Sequence, residues 1–286
     1  MISFELYRIF KIVADEENIT KASNKLNISQ PAVTKHIKNL EKLLRIQLFE
    51  RNNTGLYLTE KGKKIYEEIK EPVIVLDSIY KRYSGTSEIN LGIHAAMLSR
   101  NFNEKIMNHI RSKNVNTMNY NTDEMLSKLE IQEIDIAISK KHPTYENDKI
   151  EFIQLGVLHD ILVTKPYNIE SCQTMTIEEL KERELYLPRN NSVTAMNFFD
   201  SINIKESEFK NIRNISYIAM LESIKDTNAV ALITKEYVKD ELENKNIVEV
   251  KTDFKIKPVE YGMYINKENL FKELREFINA IKLENI

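Results

Sequence analysis

The chain has 286 residues, with 41 Lys+Arg against 43 Asp+Glu, 42% hydrophobic and 29% charged residues. That composition excludes a disordered, collagen-like or membrane-bundle chain, and the length suits two or three domains of roughly 100 to 200 residues each. No apolar run approaches the roughly 18 residues that cross a bilayer, no basic segment followed by an apolar stretch opens the chain as a secretory signal would, and Cys172 is the single cysteine; the expected setting is the reducing cytoplasm, with no membrane.

The overall charge balance hides an asymmetry. Between Thr20 and Lys64 stand ten Lys/Arg and three Glu, so a basic segment is joined to an acidic body. Cationic side chains on one compact segment displace counterions from phosphates, which makes nucleic acid the expected partner. Within this region Leu6, Ile9, Phe10 and Val13 recur at helical spacing, giving a first helix from about Ser3 to Glu16. Thr20 is placed to cap a short second helix through Ala22 and Leu26, and Asn27-Ile28 makes a turn. Ser29 then caps a third helix with Pro31 in its first turn, where a missing N–H costs little. On that helix Val33, Ile37 and Leu40 form an apolar stripe, while Gln30, Thr34 and Lys38 fall four apart on another face beside Lys35. A short helix, a tight turn and a helix bearing amide, hydroxyl and ammonium groups make a helix-turn-helix that reads a major groove. His36 reads as a surface residue of this helix. Two β-compatible runs, Leu48 to Arg51 and Leu56 to Thr59, flank an Asn/Gly-rich turn and predict a hairpin, or wing, with Arg51 at its base.

The string Ser29-Gln30-Pro31-Ala32-Val33-Thr34, Ile37, Leu40-Glu41, Leu44, Leu48-Phe49-Glu50-Arg51 and Leu58-Thr59-Glu60-Lys61-Gly62 resembles the winged helix-turn-helix of LysR-type transcriptional regulators. The resemblance implies that Ser29, Gln30, Pro31, Thr34 and Lys35 lie at double-stranded operator or promoter DNA, with Arg51 in the wing; Lys38 is the phosphate-facing neighbour. Where the family usually ends its third helix with glycine this chain has Arg45, so Arg45 or its neighbour is expected to take a less comfortable conformation at that helix end.

From Thr59 onward Ile65, Ile69, Pro72/Val73, Leu76, Ile79 and Tyr83 repeat at spacings of four and three, a narrow seam suited to a partner helix. Pro72 is expected to kink or restart the helix. The resemblance implies a homodimer or homotetramer formed through this linker helix, and RNA polymerase as a further partner. Ser84 to Ser87 reads as a hinge.

Beyond Glu88, strands are predicted at Ile89 to Ile93, Ile134 to Ile138, Ile161 to Thr164, Leu185 to Leu187, Ala229 to Thr234 and Tyr261 to Ile265. Helical patterns lie at Asn101 to Arg111, Asp123 to Ile131, Ile218 to Ile224 and Lys267 to Ile281. Such alternation argues for an α/β fold with mainly parallel sheets. The order resembles the family's two-lobed effector domain, similar to periplasmic solute-binding proteins. The expected organisation is a winged helix-turn-helix over 1–58, a linker helix and hinge over 59–87, and an effector domain over 88–286, with lobe I about 88–163 and 262–286 and lobe II about 164–261. A small-molecule effector is expected in the cleft between the lobes, and the resemblance places Ala95, Ala96, Ser99, Asn121, Thr122, Arg189, Asn190, Ser192 and Val230 there. The segment His94 to Leu98 lacks the early hydroxyl that family members often aim at an anionic effector.

No Walker loop, GxGxxG after a strand, HExxH or CxxC occurs, and the five His are scattered; an enzyme, a cofactor and a metal are not expected. The alternative reading is a small-molecule-binding module whose basic N-terminal segment serves assembly and not DNA recognition.

Overall fold

A computed structural model describes residues 3–52, 55–84, 88–98, 104–112, 115–166, 174–189 and 192–284. The chain divides into two compact units, Met1–Gly85 and Thr86–Ile286.

The first unit contains α1 (Phe4–Glu16), α2 (Ile19–Leu26), α3 (Gln30–Leu44), β1 (Phe49–Asn52), β2 (Gly55–Leu58) and α4 (Glu60–Ser84). Its core is the expected stripe: Leu6, Ile9, Phe10 and Val13 of α1 bury against Val33, Ile37 and Leu40 of α3, with Leu48 and Phe49 closing the far end. The Phe10 and Phe49 rings meet edge to face at 5.5 Å. Local chemistry sets each boundary. Asn18, not Thr20, caps α2: its side-chain oxygen accepts from the N–H groups of Thr20 at 2.9 Å and Lys21 at 3.0 Å. Asn two residues earlier reaches both orphan donors, which leaves Thr20 inside the first turn. Ser29 caps α3 as expected, accepting from Ala32 N–H at 3.3 Å.

Helix α3 ends on Arg45 in the left-handed region, at φ 55° and ψ 38°. A Cβ is disfavoured in that conformation, and the surrounding bonds over-determine it. Ile46 N–H donates to the Glu41 carbonyl at 3.1 Å, while the Glu41 carboxylate accepts from Leu48 N–H at 2.8 Å. One glutamate thus ties the helix end to the start of the hairpin. At the other side of the hairpin Thr59 donates its hydroxyl to the Gln47 carbonyl at 2.7 Å and accepts from Gly62 N–H at 2.9 Å, capping α4. Gly62 sits so close that an added Cβ would lie 2.2 Å from the Leu48 carbonyl oxygen.

Helix α4 runs as one element through Pro72, which neither ends nor restarts it. The apolar seam divides instead. Ile65, Tyr66 and Ile69 pack on the core of their own unit and Val73 is buried, whereas Leu76, Ile79, Tyr80 and Tyr83 are exposed. The residues expected to form the hinge, 85–87, lie outside the described residues, as does Cys172.

The second unit has two five-stranded sheets. Its elements in chain order are β3 (Ile89–Ile93), a 3-10 turn (Ala95–Leu98), α5 (Glu104–Ser112), β4 (Val115–Met118), α6 (Thr122–Glu130), β5 (Ile136–Lys140), β6 (Ile150–Leu158), β7 (Asp160–Thr164), α7 (Ile177–Glu182), β8 (Glu184–Leu187), α8 (Val193–Ile202), β9 (Asn211–Asn214), α9 (Tyr217–Asp226), β10 (Val230–Thr234), α10 (Lys239–Glu243), β11 (Val248–Glu249), β12 (Val259–Asn266) and α11 (Lys272–Glu284). The first lobe orders its strands β4-β3-β5-β12-β6 and the second β11-β7-β10-β8-β9.

Each sheet is covered on both faces. In the first lobe Ile89, Leu91 and Ile93 face Leu274, Phe277 and Ile281 of α11, and the opposite face packs Ala137 and Tyr264 against Met125, Leu126 and Leu129 of α6. In the second, Val163, Ala231 and Ile233 meet Met220 and Ile224 of α9, while Leu162, Val230 and Leu232 meet Phe198 of α8. The α/β expectation holds, but the sheets are mixed: β12 runs antiparallel to β5 and β6, and β7 antiparallel to β10. The lobe limits also shift. β7 already belongs to the second sheet, so the chain crosses at His159 and not near residue 164, and β12 has returned to the first sheet by Val259. Only His159 separates β6 from β7, so no loop marks the change of sheet. Among the described residues no helix is long and apolar enough to cross a membrane.

Two substitutions test the α3-to-hairpin junction. Arg45→Gly removes the left-handed penalty and is expected to raise the stability of the first unit by up to about 1 kcal/mol, read by urea denaturation. Gly62→Ala forces a methyl onto a backbone oxygen and is expected to lower it by about 1–3 kcal/mol; equal midpoints for Gly62→Ala and the parent chain would show that the junction is loosely packed.

Candidate nucleic-acid interface and ligand cavity

In the first unit the turn between α2 and α3 is built on Asn27, left-handed at φ 54°, with Ile28 N–H donating to the Ser23 carbonyl at 3.2 Å. The turn aims α3 so that burial of Val33, Ile37 and Leu40 leaves the other face open. Ser29, Gln30, Pro31, Lys35 and Lys38 are exposed and Thr34 is half-buried. Gln30, Pro31, Thr34, Lys35 and Lys38 line one shallow surface hollow together with Ile19 of α2. Neither Lys35 nor Lys38 forms an ion pair with a described residue, while Lys25 is held by Glu16 at 2.8 Å. The capped N-terminus of α3 carries a partial positive charge beside these ammonium groups, a combination suited to phosphate and to base edges. Arg51 lies in β1, paired with Leu56 across the hairpin.

In the second unit a cavity of about 360 Å³ opens between the two sheets. Of the expected ligand contacts, Ala96, Asn121, Thr122, Arg189 and Ser192 line it. Asn121 caps α6 by accepting from Glu124 N–H at 2.9 Å, Thr122 and Ser139 share a hydroxyl hydrogen bond at 2.7 Å, and Ser192 caps α8. Ala95 begins the 3-10 turn, and its side chain lies outside the described ones. Ser99 and Asn190 lie outside the described residues. Val230 is fully buried in the core and does not reach the cavity. It opens β10, whereas the cavity meets the other end of that strand at Leu232, Ile233 and Thr234, in keeping with ligand sites beyond the carboxyl ends of strands.

The cavity also holds groups that motif reasoning does not single out. Lys140, the last residue of β5 in the first lobe, is buried at its floor, and its Nζ donates to Asp160 Oδ1 at 2.5 Å and to Thr194 Oγ1 at 2.7 Å, both in the second lobe. Thr234 donates to the same Asp160 oxygen at 2.8 Å. Burial pulls the Lys140 ammonium below its ordinary range, and the Asp160 carboxylate opposes that pull. His94 is likewise pushed down, first by burial and then by the Lys140 charge, so its neutral form is favoured. Tyr217 is pushed up to about 12, chiefly by burial; its hydroxyl donates to the Tyr237 carbonyl at 2.9 Å. A charged residue ending an otherwise apolar strand, Ile136 to Ser139, is the one sequence signal for Lys140. Among the described residues no cluster of His, Cys, Asp or Glu is arranged to hold a metal.

Residues 4–63 match the family described as bacterial regulatory helix-turn-helix protein, lysR family, and residues 114–284 match the LysR substrate binding domain. A curated relative, the HTH-type transcriptional regulator BsdA of Bacillus subtilis (strain 168), is 26% identical over 164 residues, which cover 54% of this chain and 56% of BsdA. The matched region spans about half the length of the curated relatives. Among solved structures, the probable transcriptional regulator PA0477 from Pseudomonas aeruginosa superposes with a TM-score of 0.75 at 14% identity, over 98% of this chain and 96% of that one. CbnR, a LysR family transcriptional regulator, gives a TM-score of 0.67 at 18% identity over 100% of both chains. At these identities the likeness is one of fold.

The inter-lobe ion pair makes a stability prediction. Lys140→Met strands a buried carboxylate and is expected to destabilise the second unit by about 3–5 kcal/mol. Adding Asp160→Asn to the same chain removes the stranded charge and is expected to recover most of that loss, as measured by chemical denaturation. A single variant as stable as the parent would show that water, and not Lys140, neutralises Asp160.

Proposed function

Because the chain belongs to the LysR family of bacterial regulatory helix-turn-helix proteins, we propose that it is a sequence-specific DNA-binding transcriptional regulator whose activity responds to a small molecule held between its two C-terminal lobes. The observation that carries this reading is the orientation of α3: its apolar stripe is spent on the core, and Gln30, Thr34, Lys35 and Lys38 face outward from a capped, electropositive helix end. In this reading Gln30, Thr34 and Lys35 contact base edges, Ser29 and Pro31 lie against the backbone at the helix start, and Lys38 faces phosphate. Arg51 extends the contact from the wing. The exposed apolar residues Leu76, Ile79, Tyr80 and Tyr83 on α4 supply a surface for a second copy, and a two-fold assembly engages two half-sites together. RNA polymerase is a further partner in this reading, and the cytoplasm, where chromosomal DNA is accessible, is its place of action. We assign the chain binding and no catalytic step, as the designation of its relatives as regulators supports.

Selection of duplexes from a random pool with the full chain tests the reading. It is expected to return a dyad-symmetric sequence, with affinity falling steeply as salt rises. At fixed salt, Gln30→Ala combined with Thr34→Ala is expected to flatten preference at particular base pairs by about 1–3 kcal/mol each. Lys38→Ala should weaken all sequences alike and lower the salt slope by about one. Recovery of no enriched sequence would favour the alternative in which the basic segment serves assembly; an unchanged preference in the double variant would move base reading away from α3.

A further inference from the structure

We propose that the cavity between the lobes takes a small amphipathic monocarboxylate, its charged end held by Lys140 and the first turns of α8 and α9; this rests on the reading of the cavity as the ligand site. The two walls of the cavity differ in polarity. On the first-lobe side α6 carries Asp123 and Glu124 in its opening turn, so the partial positive charge of its N-terminus is already offset. On the second-lobe side α8 and α9, ten residues each, have no acidic residue in their first turns, and their caps Ser192 and Ser216 both line the cavity. Each serine satisfies one N–H of its helix, of Ala195 and of Ala219. Further first-turn N–H groups have no intrahelical acceptor, and they belong to cavity residues, Val193, Thr194 and Tyr217.

Lys140 supplies what two helix ends alone do not. Its side chain is only 7% exposed, yet it lines the cavity. An ammonium has three N–H donors, and among the described residues two are used, by Asp160 and Thr194. The third is free for a ligand oxygen. Asp160 opposes the burial that lowers the Lys140 pKa, and their 2.5 Å contact pairs a cationic donor with a carboxylate at the site an incoming anion would reach. Thr194 places Lys140 against the first turn of α8, so the ammonium and that turn's backbone donors are neighbours in the same cavity. Arg189 stands at the exposed edge of the same wall and adds a second positive charge. Met97, Met220, Leu232 and Tyr237 give the lining an apolar part that suits a body of aliphatic or aromatic carbon, whereas the first-lobe wall is polar, with Asn121, Thr122, Asp123, Glu124 and Ser139. An amine in the same pose would face Lys140 and two positive helix ends.

The experiment is calorimetric titration of the full chain with matched probes: benzoate and hexanoate, their neutral amides, and benzylamine. Each carboxylate is expected to bind about tenfold or more tightly than its amide, the worth of one charge-assisted hydrogen bond in a buried site, and benzylamine should give no heat. In Lys140→Met/Asp160→Asn, with folding checked by circular dichroism, the preference should fall to about one. Amide and carboxylate binding alike would overturn the charge assignment while leaving the cavity as a ligand site. A carboxylate preference that survives in the double variant would remove Lys140 from it. If no probe binds at its solubility limit, the monocarboxylate and the ligand role of the cavity fall together.

Discussion

The roll of α3 about its own axis is the constraint from which the DNA-reading argument follows. A helix advances about 100° per residue, so fixing Val33, Ile37 and Leu40 against α1 fixes where Gln30, Thr34 and Lys38 point. Those three buried side chains are held by Leu6, Ile9, Phe10 and Val13, and the far end of the helix is clamped by Glu41 reaching the backbone of Leu48. Affinity for phosphate comes from charge and survives small rotations; discrimination between bases requires side chains at fixed positions in a groove. The packing of the first unit therefore bears more on specificity than on affinity, and the left-handed Arg45 and the crowded Gly62 are the local strains accepted to keep the hairpin tight against the helix end.

In the second unit the corresponding constraint is the ion pair that joins the lobes. The two sheets are linked by two crossings, and Tyr237 of the second lobe packs on the first-lobe core beside this pair. Lys140 in one lobe and Asp160, Thr194 and Thr234 in the other form a polar node in which Asp160 Oδ1 takes two donors while Oδ2 has no partner among the described residues, at a depth where an unpaired charge costs several kcal/mol. The node places the ligand-facing ammonium on the element that ties the lobes to each other.

The first unit was largely legible in sequence because its signals are local. Apolar periodicity marks α1 and α3, Ser29 and Pro31 mark a helix start, and arginine in place of the family's glycine at position 45 points to a strained helix end, which the structure shows as a left-handed Arg45. The cap of α2 lies two residues before Thr20, since Asn18 and Thr20 are both competent caps and only the backbone decides between them. In the second unit the buried strands β3, β7, β8, β10 and β12 stand out as apolar runs, while the four edge strands β4, β6, β9 and β11 escape. β4 and β9 read Val-Asn-Thr-Met and Asn-Ile-Arg-Asn, with little apolar content to show, β11 has two residues, and β6 mixes exposed and half-buried positions along most of its length. Helix α8 escaped for the opposite reason: Val193 to Ile202 is apolar around much of its circumference, which erases the periodic signal, although Ser192 is an adequate cap. β5 was placed two residues early, because Lys140 resembles the polar residue that follows a strand and only its partner in the other lobe explains its place inside one. Val230, expected at the cleft, shows the limit of transferring positions along a strand: its alternate residues and its two ends face different surroundings, and the cavity meets the carboxyl end.

The position of Lys140 also says how occupancy of the cavity can be converted into a change of shape. A ligand shifts an equilibrium between two lobe arrangements only by the difference in its affinity for them. If its charged end were bound wholly by one lobe, both arrangements would hold it equally and nothing would follow. Here the donors come from both: the ammonium belongs to β5 of the first lobe, and the α8 and α9 N–H groups to the second. An anion bridging them is bound fully only when the lobes bring these donors to one point. The same geometry that selects a negative charge thereby makes its binding free energy depend on lobe arrangement, which is the requirement for a small molecule to act as a switch.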